Sequence, residues 1–121
     1  MKKVLLVDDS KTVLMMEQMV LKKKEYEILT ASDGEEGVRR ALADRPDVIL
    51  MDVVMPRMSG LEACRRLRQE ETTRNIPIIM VTTRGESVNV EAGFESGCND
   101  YITKPVDPLE LLTKLRDQLG E

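Results

Sequence analysis

The amino-acid sequence predicts one α/β domain, a doubly wound parallel sheet of five strands with helices on both faces. The first observation is that short apolar runs alternate with segments of helical periodicity along all 121 residues, an order typical of parallel α/β sheets. The second is that three of the runs are apolar throughout, as expected for central strands covered on both faces. These three runs are Val4–Val7, Val48–Met51 and Ile78–Val81.

The two remaining strands have a mixed composition and suit the edges of the sheet. The second strand is predicted over Tyr26–Ala31, and the fifth surrounds Tyr101 and Ile102. The order of the strands in the sheet does not follow from these patterns, because periodicity shows where an element lies and not which element it pairs with.

A helical pattern follows each strand. Apolar or small residues recur at helical spacing in four of the five segments. They are Val13, Met16 and Val20 in the first; Val38, Ala41 and Leu42 in the second; Gly60, Ala63, Cys64 and Leu67 in the third; and Leu112, Leu115 and Leu119 in the last. The fourth helix is predicted from Glu86 to about Glu95. It is the least helix-like segment, because it contains Gly93 and the β-branched Val88 and Val90.

Several helix ends carry sequence signals. Capping boxes place a glutamate three residues after a serine or aspartate. They are Ser32–Glu35, Ser59–Glu62 and Asp107–Glu110, the last with proline at the first helical position. The first helix is predicted over residues 11–24, and the lysines at 22–24 suit its end because cations there complement the helix dipole.

Composition excludes several classes of function. A net charge of −4 argues against nucleic-acid binding as the main role. No apolar run approaches the ~20 residues needed to span a bilayer, and Asp8 interrupts the first run too early for a signal peptide. We therefore expect a cytoplasmic protein without a membrane partner. Cys64 and Cys98 have neither a metal-ligand spacing nor a disulfide framework, so we expect inert thiols.

Polar residues terminate four of the five strands. Asp8 and Asp9 follow the first, Asp52 the third, Thr82 the fourth and Lys104 the fifth. Because the carboxyl ends of parallel strands share one edge of the sheet, where α/β folds bind ligands, these side chains are expected to converge. The chain has no histidine, so histidine-based acid–base catalysis is excluded and any phosphohistidine must belong to another protein.

The predicted cluster suits a divalent cation and a phosphoryl group. Taken alone, Asp8 and Asp9 are typical of helix caps, and the Thr82 hydroxyl equally suits a loop amide. With Asp52 beside them, three carboxylates repel one another unless a cation is present. Oxygen ligands without His or Cys select a hard ion such as Mg²⁺. A carboxylate such as Asp52 can form an acyl phosphate, whose charge the metal and Lys104 would offset.

Four motifs, in this order and spacing over essentially the whole chain, resemble those of response-regulator receiver domains of two-component signalling. They are Val-Asp8-Asp9-Ser, Met-Asp52-Val-Val-Met-Pro-Arg-Met-Ser-Gly, Val-Thr82-Thr-Arg and Asn-Asp-Tyr101-Ile-Thr-Lys104-Pro105. The resemblance implies a flavodoxin-like (βα)5 fold with strand order 2-1-3-4-5. It also implies that residues 1–121 form one receiver domain, like a single-domain chemotaxis regulator.

The resemblance also implies a role for each residue of the cluster. Asp52 would be the phosphoacceptor. Asp9 and Asp52 would bind Mg²⁺ directly together with the backbone carbonyl of Val54, and Asp8 would act mostly through water. Thr82 would hydrogen-bond the phosphoryl group.

Further roles concern the region around the fifth strand. Lys104 would pair with the phosphoryl group, and Tyr101 would be an aromatic switch. Pro105 is expected to follow a cis peptide bond, which in a tight turn can aim the preceding side chain. Positions 54 and 84, here valine and arginine, vary in the family and influence the lifetime of the phosphoryl group.

The implied function is a phosphorylation-dependent switch rather than an enzyme. The expected donor is a sensor histidine kinase or a histidine phosphotransfer protein. The expected output is a changed affinity, on the face made by the fourth helix, fifth strand and fifth helix, for a downstream protein or a fused output domain. Direct nucleic-acid binding by this domain is not expected, and the sequence leaves open whether it dimerises on activation.

Three other readings fit the sequence less well. A phosphatase with an aspartyl-phosphate intermediate commonly has a second acid two residues after the nucleophile, where this chain has Val54. A flavin-binding module would need a hydroxyl-rich phosphate loop where Asp8 and Asp9 stand. A degenerate receiver that acts as a constitutive interaction module is disfavoured, because the full set of acids, threonine and lysine is present.

Overall fold

The computed structural model describes residues 1–83 and 87–121, and for residues 87–89 it describes the backbone alone. Within these ranges five strands and five helices alternate. The strands are β1 (Lys2–Val7), β2 (Tyr26–Ala31), β3 (Val48–Asp52), β4 (Ile78–Thr83) and β5 (Asp100–Lys104). The helices are α1 (Lys11–Leu21), α2 (Gly34–Asp44), α3 (Gly60–Gln69), α4 (Ser87–Ser96) and α5 (Pro108–Leu119). None of the helices in these ranges is long and apolar enough to cross a membrane.

The five strands form one parallel sheet in the order β2-β1-β3-β4-β5. The predicted fold class and the strand order implied by the family resemblance are therefore confirmed. The three apolar runs occupy the central positions and are buried on both faces, whereas β2 and β5 lie at the edges. In β2 only Ala31 is buried, and in β5 only Ile102.

Each face of the sheet has its own apolar core. On one face, side chains of β1, β3 and β4 pack against α2 and α3. On the other, the alternate side chains of the same strands pack against α1 and α5. Because successive side chains of a strand point to opposite faces, the two cores share the central strands, whose carboxyl ends therefore have little freedom to move.

The inward face of α1 differs from the prediction. Met16 is 49% exposed, while Val13 and Val20 are half-buried. The buried positions are Glu17 and Leu21. The sequence was misread because an acid occupies an interior position, which made the true inward face look polar.

One helix boundary and one buried stripe also differ from the predictions, and one predicted boundary is not covered by the described residues. The first helix ends at Leu21 rather than at residue 24, and Lys22 is its C-cap. In α5 the buried residues are Leu111 and Leu115, so the predicted stripe lacked Leu111. The fourth helix was predicted from Glu86, which lies outside the described residues, and α4 is described from Ser87. Arg84, at a position expected to influence the lifetime of the phosphoryl group, also lies outside the described residues.

Capping follows the predicted signals in part. Ser59 caps α3 by accepting a hydrogen bond from Glu62 N, as the capping box predicts. The box predicted at Ser32 is displaced by one residue, because the extended Asp33 is the N-cap of α2 and accepts from Glu36 N at 2.8 Å. The third box is incomplete, since Asp107 makes no side-chain capping bond.

A glycine allows α3 to begin directly beside the end of β3. A Cβ atom on Gly60 would lie 2.0 Å from the backbone oxygen of Asp52. The backbone N–H of Gly60 also donates to the carbonyl of Val53 at 2.8 Å. The first turn of α3 therefore supports the loop that carries Asp52.

We predict that Gly60→Ala lowers the free energy of unfolding by about 2 kcal/mol or more, because the methyl group must displace backbone. Gly120→Ala is the matched control, since its Cβ meets nothing within 4 Å and only its φ of 73° is unfavourable. It should cost about 1 kcal/mol. Urea unfolding followed by circular dichroism measures both, and equal losses in the two variants would contradict the close approach.

Candidate functional site

The polar residues predicted to converge do meet at the carboxyl edge of the sheet. Asp8 and Asp9 follow β1, Asp52 is the last residue of β3, Thr82 lies near the end of β4, and Lys104 is the last residue of β5. One carboxylate oxygen from each of the three aspartates lies within 4.8 Å of the others. Asp8, Asp52 and Thr82 are buried, whereas Asp9 is exposed and opens the cluster to solvent.

Local hydrogen bonds hold Asp8 in place. Its backbone N–H donates to Ala31 of the neighbouring strand at 3.1 Å. Its Oδ1 accepts from the N–H of Ser10 at 2.9 Å, and the Ser10 hydroxyl in turn accepts from Val13 N to cap α1. Asp8 thus stabilises the turn into α1 with one oxygen and leaves Oδ2 directed to the site.

Lys104 bridges two of the acids. Its Nζ lies 3.1 Å from Asp8 Oδ2 and 3.2 Å from Asp52 Oδ1. β5 pairs with β4 in a register that places Lys104 opposite Thr83 at the carboxyl end of the sheet. From there the long lysine side chain extends across to the ends of β1 and β3. The peptide bond between Lys104 and Pro105 is cis.

The pKa values in the cluster reflect burial and crowding. Burial and then the nearby Asp8 raise the pKa of Asp52 to about 6, against the opposing effect of Lys104. Burial tends to lower the pKa of Lys104, but Asp52 and Asp8 raise it above its ordinary value. Burial thus dominates the shift of the Asp52 pKa, whereas the attraction of the two aspartates dominates that of the Lys104 pKa.

Two buried oxygen atoms at the site lack a hydrogen-bond partner among the described residues. They are Asp8 Oδ2, which has Lys104 close by but not in hydrogen-bond geometry, and Thr82 Oγ1. Buried polar atoms normally find partners. An unsatisfied carboxylate oxygen beside two further acids fits a hard cation with oxygen ligands, such as Mg²⁺. The unsatisfied hydroxyl of Thr82, at the same edge of the sheet, could donate to an anionic group.

The remaining predicted residues lie around this cluster. Val54 is in the loop directly after Asp52, with its side chain 65% exposed. Tyr101 is a half-buried residue of β5. The rings of Tyr101 and Phe94 of α4 meet edge to face, with their centroids 6.1 Å apart. Lys114 Nζ of α5 lies 4.7 Å from the centroid of the Tyr101 ring. Tyr101 therefore joins α4, β5 and α5.

The sequence prediction missed one residue of this region. Glu17 of α1 is 2% exposed, and burial, followed by Asp8, raises its pKa to about 8. Its position could have been found from helical spacing, because Leu14, Glu17 and Leu21 form the i, i+3, i+7 pattern of an inward face.

The two cysteines take no part in the cluster. Cys64 and Cys98 are free and buried. Burial raises the pKa of both thiols, that of Cys98 to about 12. Such thiols stay protonated near neutral pH, and the thiolate is the reactive form.

The chain is similar to known proteins over nearly its whole length. The family model described as response regulator receiver domain matches residues 4–116. Protein PilH of Pseudomonas aeruginosa is 41% identical over 120 residues, which are 99% of this chain and 99% of PilH.

Two further similarities concern a longer protein and a solved structure. The alkaline phosphatase synthesis transcriptional regulatory protein PhoP of Bacillus subtilis is 38% identical over 95% of this chain, which spans about half (47%) of that relative. The receiver domain of sensor histidine kinase PA1611 from P. aeruginosa, solved with a magnesium ion coordinated in the active site cleft, has a TM-score of 0.92. The two sequences are 32% identical, and the match covers 99% of this chain and 98% of the PA1611 receiver domain.

We predict that Asp52→Asn stabilises the metal-free protein at pH 7.5 by about 1–3 kcal/mol. The folded-state pKa of Asp52 is raised from 3.8 to about 6, so the folded protein binds more protons than the unfolded chain between these values. The Asp52 carboxyl therefore lowers the free energy of unfolding as the pH rises from 3.8 to about 6, and this loss of stability persists at higher pH. Asparagine cannot ionise, so the variant does not suffer this loss.

Urea unfolding in the presence of a chelator, from pH 3.5 to 8, tests this prediction. The gain from Asp52→Asn should shrink as the pH falls and be close to zero at pH 3.5, where the carboxyl is mostly protonated in both states. Asp117→Asn, at an exposed acid of α5, is the control for the loss of one negative charge. A loss of stability in Asp52→Asn at pH 7.5 would contradict the cost of burying the Asp52 carboxylate beside Asp8.

Proposed function

This chain belongs to the response regulator receiver domain family of two-component signalling, and from that premise we propose that Asp52 accepts a phosphoryl group from the phosphohistidine of a partner. Receiver domains are phosphoacceptor switches rather than classical enzymes. The observation that carries the proposal is the meeting of Asp8, Asp9 and Asp52 with Lys104, whose Nζ lies 3.2 Å from Asp52.

Receiver domains bind Mg²⁺ in an acidic pocket, and the donor set of this chain fits that ion. Asp9 and Asp52 would hold it directly together with the carbonyl of Val54, and Asp8 would act mostly through water. Bound there, the ion would offset the negative charge of the phosphoryl oxygens. The magnesium ion in the PA1611 receiver supports this assignment.

The transfer itself exchanges one bond for another. A carboxylate oxygen of Asp52 attacks the phosphorus in line, the new P–O bond forms as the P–N bond to the donor imidazole breaks, and the imidazole leaves with the bonding electron pair. The raised pKa of Asp52, about 6, still leaves it ionised near pH 7. Lys104 pairs with the developing charge, and Thr82, whose Oγ1 has no partner among the described residues, donates a hydrogen bond to the phosphoryl group.

The donor and the output belong to other proteins or domains. Because the chain has no histidine, the donor would be a sensor histidine kinase or a histidine phosphotransfer protein, and the reaction would take place in the cytoplasm. Residues 1–121 would act as one receiver domain. Its output would reach a downstream partner or a fused output domain, and dimerisation on activation is one form that this output can take.

Tyr101 is the proposed link between the site and the output surface. Thr82 belongs to β4, the neighbour of β5, and Tyr101 contacts both α4 and α5. Movement of Thr82 toward a phosphoryl group would open space for the tyrosine ring. An aromatic side chain that exchanges between two packed positions is a two-state element that phosphorylation can bias.

We predict that acetyl phosphate or a phosphoramidate adds one phosphoryl group to Asp52, and only in the presence of a divalent ion such as Mg²⁺. Asp52→Asn should abolish the labelling while the fold remains intact, because the side chains are nearly isosteric. Intact-mass spectrometry measures the outcome. Full labelling of Asp52→Asn, or labelling that excess chelator leaves unchanged, would refute the proposed function.

A second prediction separates metal binding from phosphoryl contact. Asp9→Ala should weaken Mg²⁺ binding sharply because a ligand is lost. Lys104→Ala should bind Mg²⁺ at least as well as the unaltered protein, since a nearby positive charge is gone, yet respond poorly to phosphorylation. Mg²⁺ titration by tyrosine fluorescence measures both affinities, and an equally severe loss in Lys104→Ala would show that the roles are assigned wrongly.

A third prediction concerns the output surface. Beryllofluoride with Mg²⁺ mimics the phosphoryl group and should change amide hydrogen exchange mainly in residues 82 to about 110, beyond the changes in the Asp52 loop. The physical reason is that Thr82 and Tyr101 connect the site to α4, β5 and α5. Mass spectrometry of peptides locates the changes. Larger changes in α1 would instead make that helix the regulated surface.

A further inference from the structure

The side chain of Lys114 reaches around one edge of the sheet. Lys114 belongs to α5, whose buried residues Leu111 and Leu115 pack on one face of the sheet. The side chain of Tyr101 packs against the core on the opposite face. Among the described residues β5 pairs with β4 alone and so forms an edge of the sheet. The lysine therefore meets the ring of Tyr101 by passing around β5.

Polar groups of β5 and α5 fix the ammonium group of Lys114. It donates a hydrogen bond to the backbone carbonyl of Tyr101 and lies 3.3 Å from Asp100 Oδ1. Glu110, one turn earlier on α5, has a carboxylate oxygen 3.8 Å away. The Lys114 side chain is 24% exposed, so it has little contact with water. These acceptors hold the ammonium group in place whatever position the tyrosine ring takes.

The ring of Tyr101 lies between this ammonium group and an aromatic side chain. Lys114 Nζ is 4.7 Å from the ring centroid, a distance at which the face of an aromatic ring attracts a cation. On the α4 side, the ring of Phe94 meets it edge to face, and Phe94 is itself 47% exposed. The two neighbours thus hold the half-buried tyrosine at the rim of the domain.

Tyr101 and Thr82 lie on the same face of the sheet. In the register of β4 and β5, Tyr101 stands opposite Met80, and both pack in the same apolar core. Thr82 shares this face because side chains two residues apart on a strand point to the same side. A ring that moves toward the space beside Thr82, as the proposed function requires, would leave the ammonium group behind on the backbone of β5.

We propose that Lys114 is a positioning residue for Tyr101: it holds the ring beside Phe94 and so opposes the change that phosphorylation of Asp52 brings about. The proposal rests on the proposed function and deepens it, because it names a contact that keeps the switch off. A contact made in one of two ring positions shifts the equilibrium between them by its own free energy. By reciprocity, loss of this contact raises the affinity of the site for a phosphoryl group.

The affinity for beryllofluoride tests the proposal. With Mg²⁺ saturating, ¹⁹F NMR compares the unaltered protein with Lys114→Met, which removes the charge and keeps a long side chain. Lys114→Met should tighten binding about three-fold, the size expected of a partly exposed contact between a cation and an aromatic ring. The sign is informative, because loss of a positive charge by itself weakens the binding of an anionic group. Arg116→Met is the matched control, since it removes an equal charge from an exposed position of α5, and it should not tighten binding.

A double-mutant cycle with Tyr101→Leu separates the ring from the other partners of Lys114. Lys114→Met also removes the hydrogen bond to the carbonyl of Tyr101 and the ion pair with Asp100, and those losses would act with or without the ring. The tightening should therefore disappear in the Tyr101→Leu background. Lys114→Arg should keep the affinity of the unaltered protein, because a guanidinium group restores a cation over the ring. Lys114→Gln, which lacks the charge but retains a donor, serves in place of Lys114→Met if that variant fails to fold.

Three outcomes would overturn this inference while leaving the proposed function intact. The first is an unchanged or weakened affinity in the folded variant that lacks the charge. The second is a tightening that persists undiminished in the Tyr101→Leu background, since that would show an influence through β5 and not through the ring. The third is an equal tightening in Lys114→Arg or Arg116→Met. Absence of both beryllofluoride binding and phosphoryl labelling in the unaltered protein would refute the proposed function itself, and this inference with it.

Discussion

The charge balance between Lys104 and the acids at the carboxyl edge of the sheet is the constraint on which the rest of the site depends. Asp8, Asp9 and Asp52 are brought together by the strand order, and mutual repulsion opposes that arrangement. Lys104 offsets part of the repulsion by contacting two of them. Burial, and after it the repulsion from Asp8, still raises the pKa of Asp52, so a cation bound at this site would stabilise the ionised carboxylates.

The fold holds these like charges together because the strands that carry them are buried on both faces. The cores on the two sides of the sheet share β1, β3 and β4, and disrupting either core would expose large apolar side chains. Local features then direct the groups: the turn between Asp8 and Ser10 aims one oxygen of Asp8 into the site, and Gly60 lets α3 begin against Asp52. Packing of apolar residues thus maintains an arrangement that electrostatics alone would disperse.

The influence of Lys104 extends beyond the acids it contacts. On the α1 side it shares an apolar groove with the buried Glu17, and along β5 it lies three residues from Tyr101, which touches α4 and α5. Lys104 thus lies between the acids and two surfaces of the domain, the groove along α1 and the face of β5 that contacts α4 and α5.

The sequence by itself determined the alternation of strands and helices, the central position of the three apolar runs, and the strand ends that carry Asp8, Asp9, Asp52, Thr82 and Lys104. These features are local, so periodicity and turn chemistry reveal them; the strand order was implied only by family resemblance. The helical spacing of α1 is compatible with an inward face that contains either Met16 or Glu17, and packing against the sheet decided for Glu17. Tertiary structure alone also decided that Lys104 bridges Asp8 and Asp52. Which of two compatible helix faces meets the sheet, and which charges become neighbours, depends on contacts between residues distant in sequence.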